Sequence, residues 1–190
     1  YTGDIRSLMW TLSSRMADDT PVFVVGNSLG ATVMTKYLGE EGSSGTLPKC
    51  VAGAASLGNP LVIHSDNVKF PFDVAMALGV KKYMLENWSA FSKMDPTSRK
   101  TFLKVLSSPT IGKSDRYAAP LITRNEPYYP FAFRIGFEDV ETFWRQCSSY
   151  KNLHSISIPY LHLSAEDDFL LSTNKSKLGF CMSNPNIMVA

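Results

Sequence analysis

Between Asp4 and Met16 the apolar residues Ile5, Leu8, Met9, Leu12 and Met16 recur at i, i+3, i+4, i+7 and i+11. That is one stripe of an α-helix, with Asp4 placed as its N-cap. The polar run Ala17-Asp18-Asp19-Thr20 and then Pro21 end it. Val22 to Val25 are β-branched or aromatic without alternation, which predicts a strand buried on both faces. Ala31 to Leu38 fit a second helix, with Gly39 placed for its C-terminus, and GEEGSSGTLPK (39–49) reads as a loop. A second buried strand follows in CVAGAASLG (50–58), whose small residues suit close approach by a neighbouring helix.

Helix, strand, helix, loop, strand is the βαβ rhythm of a parallel sheet, so the fold class is α/β. From about Pro71 to Ser149 the rhythm breaks into mostly helical or irregular segments. Within GFEDVETFWRQCSS (136–149), Phe137, Val140, Trp144 and Cys147 share one helical face. SISIPYLHLSAEDD (155–168) restores the sheet pattern, a strand running into acidic residues, and NPNIMVA (184–190) reads as a further strand. The expected organisation is therefore a sheet core from 1–60 and 150–190, with a helical insertion over about 70–149.

Composition changes this picture little. The 190 residues suffice for one domain with a core, and 44% hydrophobic with 19% charged residues is ordinary for a globular chain. A net charge of +2 without blocks of like charge gives no reason to expect nucleic acid or an anionic membrane surface as partner. Cys50, Cys147 and Cys181 are odd in number, widely spaced and without metal-ligand spacing, which favours free thiols in a reducing compartment, cytoplasmic or membrane-associated. No apolar run approaches the roughly 18 residues of a membrane span, and no signal peptide opens the chain. The chain starts at Tyr1 without a methionine and stops within a strand pattern. The expectation is a piece of a larger domain, incomplete at both ends, so absent targeting signals say nothing of the parent.

The candidate chemistry centres on Ser28 in Gly26-Asn27-Ser28-Leu29-Gly30. A G-x-S-x-G run is a weak signal by itself, with about 0.1 copies expected by chance here. Its setting is more specific. A serine hydroxyl needs a base and a projecting position, and a sharp strand-to-helix turn supplies the projection. Val22 to Val25 provide the strand, Gly26 and Gly30 the clearance, and Ala31 onward the helix. The helix N-terminus offers backbone donors to an oxyanion, Leu29 N–H first among them. An acid is next required at the end of a later strand, and Asp167-Asp168 meets that demand in order and position. The mundane reading of such a pair is a helix cap or a solvated turn. The third partner is missing: His64, His154 and His162 all precede Asp168, where the order Ser, acid, His needs one after it. His162 lies mid-strand, the usual place of a structural histidine.

These residues resemble the α/β-hydrolase superfamily, and within it the AB hydrolase type 4 family. That group includes mammalian α/β-hydrolase-domain lipases, plant embryogenesis-associated proteins and bacterial esterases. GNSLGATVMTKYLGEEG resembles its elbow, SDRYAAPL an acidic-aromatic cap segment, VETFWRQCSS a cap helix, and ISIPYLHLSAEDDFLLS the acid strand. NPNIMVA is similar to the final strand, which in the family leads to a Gly-Gly-His stretch. The likeness thins over 61–105 and across LITRNEPYYPFAFRI (121–135), and Phe143-Trp144 stands where the family tends to have paired tyrosines. The resemblance implies an α/β-hydrolase fold with a helical cap, Ser28 as nucleophile, Asp168 rather than Asp167 as the acid, and no cofactor. It also implies a histidine a few residues past Ala190 and a second oxyanion donor upstream of Tyr1.

The function so implied is a carboxylic ester hydrolase acting on small-molecule esters or acyl lipids through an acyl-enzyme on Ser28. Membrane association of the parent is possible and not visible in these residues. An alternative of another class is a non-catalytic relative that binds ligands or partners through the same cleft. An acyltransferase, peptidase or thioesterase would share the fold. A dinucleotide-binding domain fits worst, since GNSLG lacks the G-x-G-x-x-G spacing. Without its base the 190-residue piece is expected to be inactive, and with its sheet cut short, prone to aggregate.

Overall fold

A computed structural model describes residues 2–17, 20–91, 96–123, 139–168, 170, 179, 181 and 183–190. Four strands, β1 (Val22–Asn27), β2 (Val51–Leu57), β3 (Tyr160–Leu163) and β4 (Ile187–Val189), form one sheet in that order. Every neighbouring pair is parallel. The register places Asn27 opposite Leu57 and Leu57 opposite Leu163, so the first three strands end level at the sheet's C-terminal edge. The helices are α1 (Gly3–Ser13), α2 (Leu29–Ser44), α3 (Phe72–Glu86), α4 (Trp88–Phe91), α5 (Pro96–Ser107), α6 (Ile111–Thr123) and α7 (Val140–Cys147). Short 3₁₀ segments lie at Ser65–Asn67 and Tyr150–Ser155. The α/β class expected from the sequence is what the chain forms, a parallel sheet with flanking helices.

Two compact units share this chain. The first comprises the described residues of Tyr1–Ile63, Cys147–Asp168 and Thr173–Ala190, and the second those of His64–Gln146 and Phe169–Ser172. In the first, α2 lies along one face of the sheet and buries Met34, Tyr37 and Leu38 with Met9, Val51, Leu153, Ile156, Tyr160 and Cys181. The second has its own small core of Met84, Phe102 and Val105, joining α3 to α5. There Trp144 of α7 is also buried, and its indole N–H donates to Asp115 (3.0 Å).

Several local expectations are corrected. The N-cap of α1 is Thr2, not Asp4, and its hydroxyl donates across to Glu40 (2.6 Å) instead of capping the helix. The helix ends at Ser13, before Met16, and of its apolar stripe Met9 is buried while Leu8 is exposed. Gly39 does not end α2, and GEEGSS is helix, not loop. The C-cap is Gly45, whose φ of 69° lies in the left-handed region that glycine enters without penalty. Gly39 and Gly42 are needed for packing instead. A Cβ on Gly39 would fall 2.2 Å from the Asn152 carbonyl oxygen, and one on Gly42 2.0 Å from that of Ser155. Both glycines let α2 press onto the 3₁₀ segment.

The largest correction concerns β1, expected to be buried on both faces. Phe23 is 68% exposed and Val25 65%. In register with Gly53, Ala55, Leu161 and Met188, they form an open apolar groove of about 690 Å³ on the face away from α2. On the groove side the small residues of β2 admit a side chain, since a Cβ on Gly53 would meet the Phe23 ring at 3.3 Å, while Val51 and Ala54 pack with Met34 and Leu38 of α2 as the sequence suggested. In α7, Val140 and Trp144 are buried as the helical face predicts and Cys147 is partly so, while Phe137 lies outside the described residues.

Candidate active site

The backbone turns sharply at Ser28, between the last residue of β1 and the first of α2. Its φ of 50° and ψ of −122° put an L-residue where only a well-braced chain holds it. The bracing is visible. Ser28 N–H donates to the Leu57 carbonyl (2.9 Å), extending the β1–β2 pairing by one residue, and Thr32 N–H donates to the Ser28 carbonyl (3.2 Å), opening α2. Gly26 permits the turn: a Cβ there would lie 2.6 Å from Ala31 Cα and 2.9 Å from Ala31 N. Backbone atoms cannot give way, so the residue must be glycine. Gly30 was expected to share that duty and does not, since nothing lies within 4 Å of the position its Cβ would take.

Ser28 occupies the N-cap position of α2, yet its hydroxyl makes no capping hydrogen bond and the residue is exposed. An ordinary N-cap serine has β-region φ and ψ and turns its oxygen back onto the N2 or N3 amide. This one does neither. Its Oγ stands at the positive end of a 16-residue helix, beside the first helical amide, Leu29 N–H. The Leu29 side chain is 62% exposed.

Asp168 follows β3 by five residues, is partly buried, and leaves the same C-terminal edge of the sheet as Ser28; Asp167 is exposed. Level backbone bonds mark that edge. Gly58 N–H donates to Leu163 (3.0 Å), Ser164 N–H to Ala190 (3.1 Å) and Ala190 N–H to His162 (2.9 Å). Residues leaving β1, β3 and β4 thus emerge in one row. In open α/β sheets this row is where ligands bind.

Of the three histidines, His154 and His162 belong to the first unit. His162 is buried mid-strand, its Nδ1 2.9 Å from the Ser56 hydroxyl, and burial pushes its pKa down. That is the structural role the sequence suggested. His64, in the second unit, stacks on Trp144 at 4.1 Å between ring centroids and approaches Glu141 at 3.7 Å. His154 lies in the 3₁₀ segment Tyr150–Ser155. Among the described residues no group of three or more His, Cys, Asp or Glu could hold a metal ion, and no helix is long and apolar enough to cross a membrane.

Sequence reading missed the buried polar residues behind the elbow. Thr32, Thr35, Asn59 and Ser56 are all at most 5% exposed. Their signal was present: two threonines three apart in an otherwise apolar helical stretch, and an asparagine just past a strand.

No family model matches the chain. A monoacylglycerol lipase from Saccharomyces cerevisiae is 28% identical over 179 residues, which is 88% of this chain and 35% of that protein. The chain thus spans about a third of that curated relative. Among solved structures, an α/β hydrolase enzyme, MGS-M2, from a Medee basin deep-sea metagenome library is 16% identical with a TM-score of 0.40, over all of this chain and 63% of that one. A variant of the meta-cleavage product hydrolase CumD is 16% identical with a TM-score of 0.42, over all of this chain and 62% of that one. The fold class rests on the chain's own geometry. A parallel sheet flanked by helices, with a strand–elbow–helix turn at Ser28, is an α/β-hydrolase arrangement.

Proposed function

We propose that this chain carries the nucleophile and the acid of a serine hydrolase that cleaves carboxylic esters, with acyl lipids as the substrate class. One observation carries the reading: an exposed serine in a strained turn at a helix N-terminus whose hydroxyl is withheld from the helix. Strain of this kind persists where surrounding structure imposes it, and presenting Oγ is what it achieves here. Support for the lipid class comes from the name of the yeast relative. The four sequence segments in the order of the AB hydrolase type 4 family support placing the chain there. The second unit, His64–Gln146 with Phe169–Ser172, is read as the cap insertion.

In this mechanism Ser28 Oγ attacks the ester carbonyl as a histidine removes its proton. Leu29 N–H and the α2 dipole stabilise the oxyanion. The histidine returns the proton to the leaving alcohol, and water releases the acyl group from Ser28. Asp168 orients the histidine. By the chain order Ser, acid, His, none of His64, His154 and His162 is placed for that role, and a histidine following Asp168 would supply it. The whole protein's activity stands or falls with that residue.

The alternative reading is a non-catalytic relative that binds ligands in the same cleft, a use the same fold would serve equally well. Intact mass of the natural protein before and after a fluorophosphonate, with the adduct mapped, separates the two. A single adduct on Ser28, with ester hydrolysis lost in Ser28→Ala, is the expected result. No adduct on the natural protein would leave the binding reading.

A further inference from the structure

We propose that Asn59 is a positioning residue for Ser28. Its buried carboxamide grips the first two turns of α2 and so holds the elbow in the conformation that presents Oγ. The inference rests on the reading of Ser28 as nucleophile.

Asn59 is 5% exposed and lies two residues past β2, in the first unit with α2 and β3. Its Oδ1 accepts from Thr32 Oγ1 (2.9 Å) and from Leu61 N–H (3.0 Å), and its Nδ2 donates to Thr35 Oγ1 (2.9 Å). Ser149 Oγ lies at the edge of the same oxygen, 3.5 Å away. The orientation of the amide is settled by Leu61: the flipped carboxamide would set a donor against that N–H.

The remaining protons then have one arrangement. Thr35 has a single hydroxyl proton, and the Ala31 carbonyl 2.7 Å away can only accept it. Thr35 Oγ1 therefore accepts from both Asn59 Nδ2 and the Tyr160 hydroxyl, 2.6 Å away. Burial raises the Tyr160 pKa, which keeps the proton on the phenol that must donate it. Thr32, Thr35 and Tyr160 are at most 2% exposed. A buried network of this kind is rigid, where a half-satisfied one would cost more than an apolar core.

This network ends at the elbow. Asn59 holds Thr32, whose N–H closes the first helical bond onto Ser28, and Thr35, whose hydroxyl holds the Ala31 carbonyl. Ala31 is the residue that packs against Gly26. Among the described residues Ser28 and Leu61 are the two non-glycine residues with positive φ, 50° and 55°. Asn59 binds Leu61 directly and Ser28 through Thr32. An apolar cluster would fill the same space without fixing either one.

The test uses the natural protein and an isosteric pair. Thr32→Val removes the donor to Asn59 and keeps the shape; Thr32→Ser keeps the hydroxyl. Two readouts are taken: the saturating rate and half-saturating concentration of fluorophosphonate labelling at Ser28, and hydrogen exchange of the amides of 28–32. The expected result for Thr32→Val is a saturating rate lower by about tenfold with half-saturation unchanged, as for a reacting atom slightly misplaced. Exchange quickens in 28–32 and not in α1, and Thr32→Ser returns to within about twofold of the parent. Wild-type labelling and local exchange in Thr32→Val would overturn the proposal, as would a lower melting temperature with an unchanged rate per folded molecule. If the parent itself is never labelled at Ser28, the nucleophile reading has failed, and local exchange alone decides whether this network sets the elbow.

Discussion

Gly26 and Ala31 meet backbone to backbone across the elbow, with room between them for a hydrogen and not for a methyl group. Gly26→Ala therefore forces β1 from α2, at a cost of about 1–3 kcal/mol of stability, and loss of Ser28 reactivity should accompany it. Gly30→Ala is the paired control. It adds a methyl to open space within a helix and should raise stability by up to about 1 kcal/mol. Chemical denaturation of the two variants, with fluorophosphonate labelling alongside, checks both. Equal effects would mean that the glycines act as a motif and not through their separate contacts.

Ser28→Gly should produce a more stable protein without hydrolytic activity. The strain at φ 50° is worth about 1–3 kcal/mol, against which glycine brings about 1 kcal/mol of extra chain entropy to lose. A net gain of about 1 kcal/mol is expected, read as a higher denaturation midpoint at unchanged slope. Such a gain is what a site that trades stability for reactivity leaves behind.

Arg6 anchors α1 to the far end of α2. Its Nε donates to Glu41 at 2.6 Å and its guanidinium reaches Glu40 at 3.0 Å. Glu41 has a side chain only 5% exposed and otherwise receives the Thr46 hydroxyl at 2.7 Å. Arg6→Met leaves a buried carboxylate short of its cation and should cost about 3 kcal/mol. Adding Glu41→Gln should recover a large part of it, because the penalty lies in the stranded charge. A double-mutant cycle showing coupling below about 0.5 kcal/mol would reduce the pair to a surface contact.

Tyr37 is fully buried in α2, and its hydroxyl has no hydrogen-bond partner among the described residues. Burial, with Glu41 nearby, raises its pKa to about 12. The folded state thus favours the protonated phenol. That contribution is complete below the unfolded value near 10 and is lost as pH rises toward 12. Alkaline unfolding followed by tyrosinate absorbance should shift to higher pH in Tyr37→Phe. Coincident parent and variant curves would place the alkaline limit elsewhere, Tyr160 being the next buried phenol.

What the sequence made legible was the order of elements along the chain. A β-branched run, a serine between glycines and a helical stretch can connect in few ways, and the turn at Ser28 is the one observed. Asp168 lies just past β3 because strand and acidic tail are adjacent in the sequence. What stayed hidden depended on partners remote in sequence. Gly39 looked like a helix end, since nothing near it announces the Asn152 carbonyl that requires it. Val22 to Val25 looked buried on both sides, because residue type records a tendency and not which faces find cover. The buried network around Asn59 closes on Tyr160, 125 residues beyond Thr35, and no local pattern announces that pairing.

The face of the sheet that the described residues of the first unit leave exposed bears on how this chain behaves in salt. Phe23, Val25 and Met188 turn apolar surface to water while a net charge of only +2 supplies little repulsion between molecules. Sulfate strengthens apolar association by its exclusion from protein surface. Precipitation by ammonium sulfate should thus begin early, and Phe23→Lys should postpone it by wetting the middle of the patch, with the elbow on the neighbouring residues left in place.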